Sequence, residues 1–272
     1  MARTPKGVAL GNVLRRTREA SDLTLREVAK SLDRDAPTLS RYENGNRTPR
    51  PELVSRMFAT YGVDGARHDE LMTLAYRLDD PQWFAATEIE RQQQAAAYVE
   101  CERSASGIVQ VSPLVLPELL QTPAVLRSIP RSDHEVETTL RRQEVLTGDR
   151  PTRYTALIGV SALHQHIGGK EAAVEQLDYL VAMTRRPHIE LRITPAGLGW
   201  HPGLDGPFTV IDSKRIGPVV FVATKTSTLW LHRPVDVGIY QEAVGFIRDV
   251  SFAPDDSARI IEGLATRLRE GL

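Results

Sequence analysis

The chain of 272 residues holds a single cysteine, three tryptophans and only 6% aromatic residues. One thiol excludes an internal disulfide, so this is not a stapled secreted scaffold, and Cys101 reads as a small packed residue on a helix. Every apolar window falls well short of the roughly 20 residues a membrane span needs. The N-terminal MARTPKGVALG has no signal-peptide core, and the expectation is a cytoplasmic protein with no membrane role. Catalytic signatures are missing too. No H-E-x-x-H, C-x-x-C, G-x-S-x-G or P-loop occurs, and no repeat or low-complexity tract is visible.

What is present is ordinary in amount and uneven in distribution. A hydrophobic content of 41% with 25% charge fits a chain with a real core, and the length suits about two domains. The formal net charge of -1 is an average of unlike parts. Residues 1–56 hold 12 Lys/Arg against 7 Asp/Glu, a head of +5, and the remainder holds 22 against 28, or -6. Only the head suits a polyanion.

Thr24 to Arg50, TLREVAKSLDRDAPTLSRYENGNRTPR, carries the layout of a helix-turn-helix. Thr24 and Glu27 have capping-box spacing, so a helix starts there. Leu25, Val28, Ala29 and Leu32 then share one face, and Ala29 is small enough to let a second helix cross closely. Asp33 to Asp35 makes the turn, Asp35 caps the second helix and Pro37 is tolerated in its first turn. Leu39 and Tyr42 point inward, and Asn44-Gly45 stops the helix.

That leaves Ala36, Pro37, Thr38, Ser40 and Arg41 facing outward as base readers. Arg41 suits guanine or a phosphate, Thr38 and Ser40 suit either, and Ala36 with Pro37 suits a thymine methyl. Arg15, Arg16 and Arg18 before the motif, Thr24 at its start, and Asn46, Arg47 and Arg50 after it complete the expected contacts to double-stranded DNA. The competing reading is a small helical bundle with a solvated basic face.

Leu25 to Pro49 resembles the phage-repressor-like helix-turn-helix of the xenobiotic-response-element group, and the likeness extends over residues 7–78. Residues 83–270 resemble the C-terminal domain of a large group of regulators from high-GC filamentous bacteria. That likeness rests on PELLQTPAVLR (Pro117–Arg127), Arg141 to Gln143, LIGVSALHQHIGG (Leu157–Gly169), Gln176 with Leu177, and ELRITPAGLGWHPG (Glu190–Gly203). It implies antitoxin-like systems in which some members pair with a small protein from a neighbouring gene. Glu118 stands where that group usually has Gly, and Val160 where it often has Glu.

The expected organisation is a five-helix domain at 1–80, a connecting helix at 81–105 and an effector or dimerisation domain at 106–272. Pro51–Tyr61 and Arg67–Leu78 complete the head, which Asp79-Asp80 before Pro81 would end, and a helix from Trp83 to about Arg103 follows. Short strands near 108–111, 154–158, 189–193, 208–211, 219–222 and 228–231 alternate with helices near 116–127, 133–146, 170–184, 235–250 and 255–268. The pattern predicts an α+β domain with a small mixed sheet flanked by helices. The terminal helix offers Ile260, Ile261, Leu264 and Leu268 on one face, as core or as interface.

Candidate chemistry in this part is sparse. His164 and His166 at i, i+2 do not share a helical face, so no metal, cofactor or catalytic group is expected. The Gly/Pro-rich stretch Pro195–Pro207 places Trp200 and His201 on a loop, as an effector or partner contact or as an aromatic tucked over the sheet edge. The expected protein is therefore a homodimeric DNA-binding regulator whose second part senses a small molecule or small protein. An enzyme, metal-dependent or otherwise, fused to a DNA-binding head is the alternative.

Overall fold

The structure is a computed structural model that describes every residue except Met1, Ala2, Arg3, Arg77, Asp79, Pro81, Ala86, Arg215 and Leu272. Two compact units divide the chain. The first holds Met1–Glu100, Arg215–Gly217 and Ala223–Arg233, and the second holds Cys101–Lys214, Pro218–Val222 and Pro234–Leu272.

Five helices open the first unit: α1 (Pro5–Ala20), α2 (Leu25–Leu32), α3 (Ala36–Glu43), α4 (Pro51–Thr60) and α5 (Gly65–Met72). Each start has a local cause. Thr4 caps α1 by accepting from Gly7 N, Thr24 and Glu27 form the reciprocal capping box of α2, and Asp35 accepts from Thr38 N at the start of α3. Leu10, Leu14, Val28, Leu39, Met57 and Phe58 are fully buried and form the core between these helices. Gly45 follows α3 at φ +65°, and a Cβ there would lie 2.9 Å from the Val8 Cα. The Asn-Gly stop thus meets both a left-handed backbone and a close approach to α1.

Two expectations about the rest of this unit are corrected. The helix expected over Arg67–Leu78 ends at Met72, where the amides of Thr73, Leu74 and Ala75 bond three residues back and Thr73 Oγ1 takes the Glu70 carbonyl. Asp79 and Pro81, expected to end the head, lie outside the described residues. The helix expected from Trp83 begins only at Glu88, because Gln82–Phe84 forms strand β1, antiparallel to β7 (Thr228–Leu231). Trp83 pairs there with Trp230, ring centroids 5.0 Å apart, and both are buried. Helix α6 (Glu88–Arg103) then starts on a Thr87/Glu90 exchange of backbone and side-chain hydrogen bonds. Cys101 is buried in its last turn.

The second unit is built on a mixed sheet flanked by helices, as expected. Strand β2 (Ala105–Ser112) lies parallel to β3 (Arg153–Gly159), which lies parallel to β4 (Ile189–Thr194). On its other side β2 is antiparallel to β5 (Phe208–Ser213), with β6 (Gly217–Ala223) beyond. Helices α7 (Pro123–Ser128), α8 (Asp133–Arg142) and α9 (Glu144–Thr147) join β2 to β3, and α10 (Gly169–Thr184) joins β3 to β4. Two such crossovers place the carboxyl ends of β2, β3 and β4 along one edge of the sheet. Helix α11 (Pro234–Val250) packs on β4 and β5, and α12 (Pro254–Glu270) packs on α10 and β4. Ile261 on α12 is fully buried, so at least that part of its apolar face is core.

The single helix expected over 116–127 is instead a 3-10 turn at Glu118–Leu120 followed by α7. Thr122 precedes Pro123 and is extended, φ -71° and ψ 160°, as the proline ring requires of its neighbour. A polar framework spans this break. Arg142 makes a bidentate pair with the fully buried Glu102, at 2.7 and 2.9 Å, and donates 2.8 Å to Glu118, which also accepts from Arg131. Gln143 Nε2 donates to the carbonyls of Glu118 and Gln121, while Gln176 donates to the Leu120 carbonyl and accepts from Thr122 N.

Candidate nucleic-acid interface

Helix α3 is held by its inner face and by both ends. Leu39 and Tyr42 are buried, while Pro37 and Arg41 are exposed and Ala36, Thr38 and Ser40 are half-buried. At the N-terminus, hydrogen bonding from Thr38 keeps the Asp35 carboxyl below the usual carboxylate range, so the cap stays ionised against the helix dipole. At the C-terminus, Arg18 makes a bidentate pair with Glu43, Nε to Oε1 at 2.7 Å and Nη2 to Oε2 at 2.9 Å, and donates to the Leu23 carbonyl at 2.8 Å. Both side chains are buried, and the bond to Glu43 raises the Arg18 pKa above its ordinary value.

Arg18 therefore does not serve as the phosphate contact its sequence position suggests, since its guanidinium is consumed inside the bundle. Arg15 is divided: Nη2 donates to the Glu43 carbonyl and to Asn44 Oδ1, yet about a third of the side chain is exposed. Arg16 is exposed on α1. The Thr24 hydroxyl accepts from Glu27 N and donates to the Glu27 carboxylate, so it is engaged in the cap. Ser40 accepts from the Asn44 amide, which leaves its own O–H to donate elsewhere.

Beyond α3 the amides of Asn46 and Arg47 both fold back onto the Arg41 carbonyl. Arg47 lies over the Tyr42 ring, 5.9 Å from its centroid, and Asn46, Arg47 and Arg50 are all exposed. The result is a row of exposed cations, Arg41, Arg47 and Arg50, running from the recognition helix into the next loop. This geometry puts the exposed Arg41 on α3 and the exposed Arg47 and Arg50 beyond it within ten residues. The clamp that keeps α3 in place, Arg18 with Glu43, has no local sequence signal, because its members are far apart in the chain and both look like surface residues.

The second unit separates the paired candidates Trp200 and His201. Trp200 is 69% exposed, whereas His201 is 8% exposed and lines a cavity. His164 Nδ1 meets the Val160 carbonyl at 3.0 Å, and His166 is exposed. Among the described residues no three His, Cys, Asp or Glu side chains gather where a metal ion would be held, and no helix is long and apolar enough to cross a membrane.

Comparison with known proteins agrees with this division. Residues 9–71 match a family model described as a helix-turn-helix domain, so the chain carries a DNA-binding head of that class and is a DNA-binding regulator. No curated protein matches the chain. Residues 95–263, more than half of the chain, match the model described as "Domain of unknown function (DUF5753)", and the protein belongs to that family.

Proposed function

We propose that this protein is a sequence-specific transcriptional regulator of the xenobiotic-response-element type, which binds duplex DNA in the cytoplasm as a homodimer. Its second unit senses a small molecule or a small protein partner and is not an enzyme. The observation that carries the reading is the outer face of α3, where Arg41, Thr38 and Ser40 stand clear of a buried inner face. Arg16, Arg47 and Arg50 supply exposed charge around it for phosphates. DNA as partner puts the protein where the chromosome is. The antitoxin-like role follows from the resemblance of residues 83–270, and a sensing role is supported by a second unit far larger than dimerisation alone needs.

Selection of duplexes from a random-sequence pool with the full chain, followed by anisotropy titration, tests this reading. Enrichment of a two-fold symmetric motif, with affinity falling steeply as salt rises, is the expected outcome. Recovery of unenriched sequence with weak, sequence-blind binding would overturn it.

A further inference from the structure

The second unit contains a cavity of about 400 Å³ at the place where its three parallel strands end. Pro113 and Leu114 follow β2, Gly159 to Ser161 close β3, and the Thr194–Gly199 segment leaves β4; all of them line it, with Ile247 of α11 as a further wall. In sheets with parallel strands the crevice outside the carboxyl ends is the usual ligand site, because connections diverge there and leave a gap that packing does not close. The volume lies in the range of small-molecule sites.

The wall chemistry is one-sided. No Lys, Arg, Asp or Glu lines it, and the polar side chains among the lining residues are Ser161, Thr194 and His201. Thr194 is already engaged with Ser251 at 2.9 Å. His201 is not: it is 8% exposed, and its Nδ1 is buried with no hydrogen-bond partner. The ring lies against Gly203, where a Cβ would sit 3.0 Å from Nδ1. A buried orphan nitrogen of this kind costs stability unless something binds it. Gly159 keeps the cavity's floor in place: a Cβ there would lie 2.2 Å from the Pro113 carbonyl oxygen, so the first turns after β2 and β3 close on each other only with glycine. Leu114, Leu198 and Leu204 are exposed and also line the cavity, giving its mouth an apolar rim.

We infer that this cavity binds an uncharged, largely apolar small molecule bearing one carbonyl or hydroxyl group, which hydrogen-bonds to the His201 imidazole. The absence of Lys, Arg, Asp and Glu among the lining residues disfavours carboxylates, phosphates and amines, since no fixed charge there would repay their desolvation. A polar anchor among largely apolar walls fixes orientation, and an imidazole nitrogen donates or accepts according to tautomer. The inference gives chemical content to the sensor reading and rests on it only for the consequence that occupancy changes DNA affinity.

The test uses the full chain and prodan, an uncharged naphthalene ketone whose emission shifts to the blue in apolar surroundings. Expected are saturable binding at one molecule per chain, a raised melting temperature, and no competition by a naphthalenesulfonate of similar size. Val160→Trp, which fills the cavity, should abolish binding while circular dichroism stays unchanged. His201→Phe should weaken prodan about two- to tenfold yet leave the free protein equally or more stable, because it removes an orphan polar atom. Absence of saturable binding, equal binding of the charged probe, or a destabilised His201→Phe that binds prodan normally would each overturn the assignment. So would capture of a protein partner that Val160→Trp abolishes while prodan fails to bind, for then the cavity takes a side chain. Prodan binding with unaltered operator affinity would leave the cavity assignment standing and overturn the sensor reading.

Discussion

Arg18 and Arg41 are the same residue type in two helices of the first unit, and the structure gives them opposite surroundings. Arg41 lies on the exposed side of α3, and helical periodicity alone places it there once Leu39 and Tyr42 are put inside. Arg18 follows Arg15 and Arg16 in α1, so nothing local distinguishes it; its role depends on Glu43, 25 residues away, arriving within 2.7 Å. Glu43→Ala should therefore strip the buried Arg18 guanidinium of its bidentate partner, leaving it the Leu23 carbonyl and the exposed Glu19 carboxylate at 3.5 Å, and destabilise the first unit by up to about 3–5 kcal/mol, a scale set by broken buried pairs. Chemical denaturation of wild type and variant measures it, and a loss near that of a surface pair, under about 1 kcal/mol, would show the clamp to be unimportant. Replacing Arg41 with Ala should cost about 1–3 kcal/mol on the operator and blur its specificity, whereas Arg47→Ala should weaken operator and random DNA alike. Equal losses on both DNAs for Arg41→Ala would contradict the assignment of base reading to that side chain.

At the level of elements, the helices that carry their own start signals were readable and the pieces fixed by distant partners were not. Thr24 with Glu27 and Asp35 with Pro37 announce α2 and α3 within a few residues. Strand β1 is three residues long and too short to show a period, and it exists because Thr228–Leu231 pairs with it more than 140 positions later. Thr87 and Glu90 are the cue that sequence reading passed over: a cap of that spacing sets the true start of α6 and leaves Trp83 outside it. The motifs that carried the family resemblance, Arg142, Gln143 and Gln176 among them, turn out to brace the broken segment between β2 and α7. Glu118 joins that brace. Burial pushes its carboxyl up, but the charges of Arg142 and Arg131 and hydrogen bonds from both hold it below the usual carboxylate range. A carboxylate with a depressed folded-state pKa adds stability that is complete above its unfolded value of about 4.3 and vanishes as the pH falls through the folded value. Glu118→Gln should consequently melt lower than wild type by a constant margin between about pH 5 and 7, with the margin shrinking as the pH drops below about 4. A margin that persists unchanged at the lowest pH would mean that packing, not charge, explains the effect.

For the molecule as a whole, the uneven charge was legible from composition: a head of +5 and a remainder of -6. The order of sheet and helices followed from hydrophobic patterning, and the cavity did not, since it is assembled at the ends of three strands that lie far apart in the chain. The proposed homodimer follows from the size of one head. Helix α3 is only eight residues long and offers few base-reading groups, so one head covers one short half-site. Useful selectivity then requires two heads with half-sites about one helical turn, roughly 34–36 Å, or a multiple of that apart. The buried Ile261 on α12 is committed to the core against α10 and β4, which turns attention to α11. There Val235, Ile239 and Phe246, with exposures of 63%, 61% and 47%, fall on one side at helical spacing. Apolar side chains grouped in this way make α11 the place to test the proposed homodimer. Ile239→Asp would bury a charge in that contact, and it should shift the protein toward monomer in sedimentation equilibrium. Operator affinity should fall at least about tenfold as the linkage of the two heads is lost, while single half-site binding is unaffected. A wild-type protein that sediments as a monomer both free and on its operator would end the dimer proposal. A variant that remains dimeric would move the interface off α11.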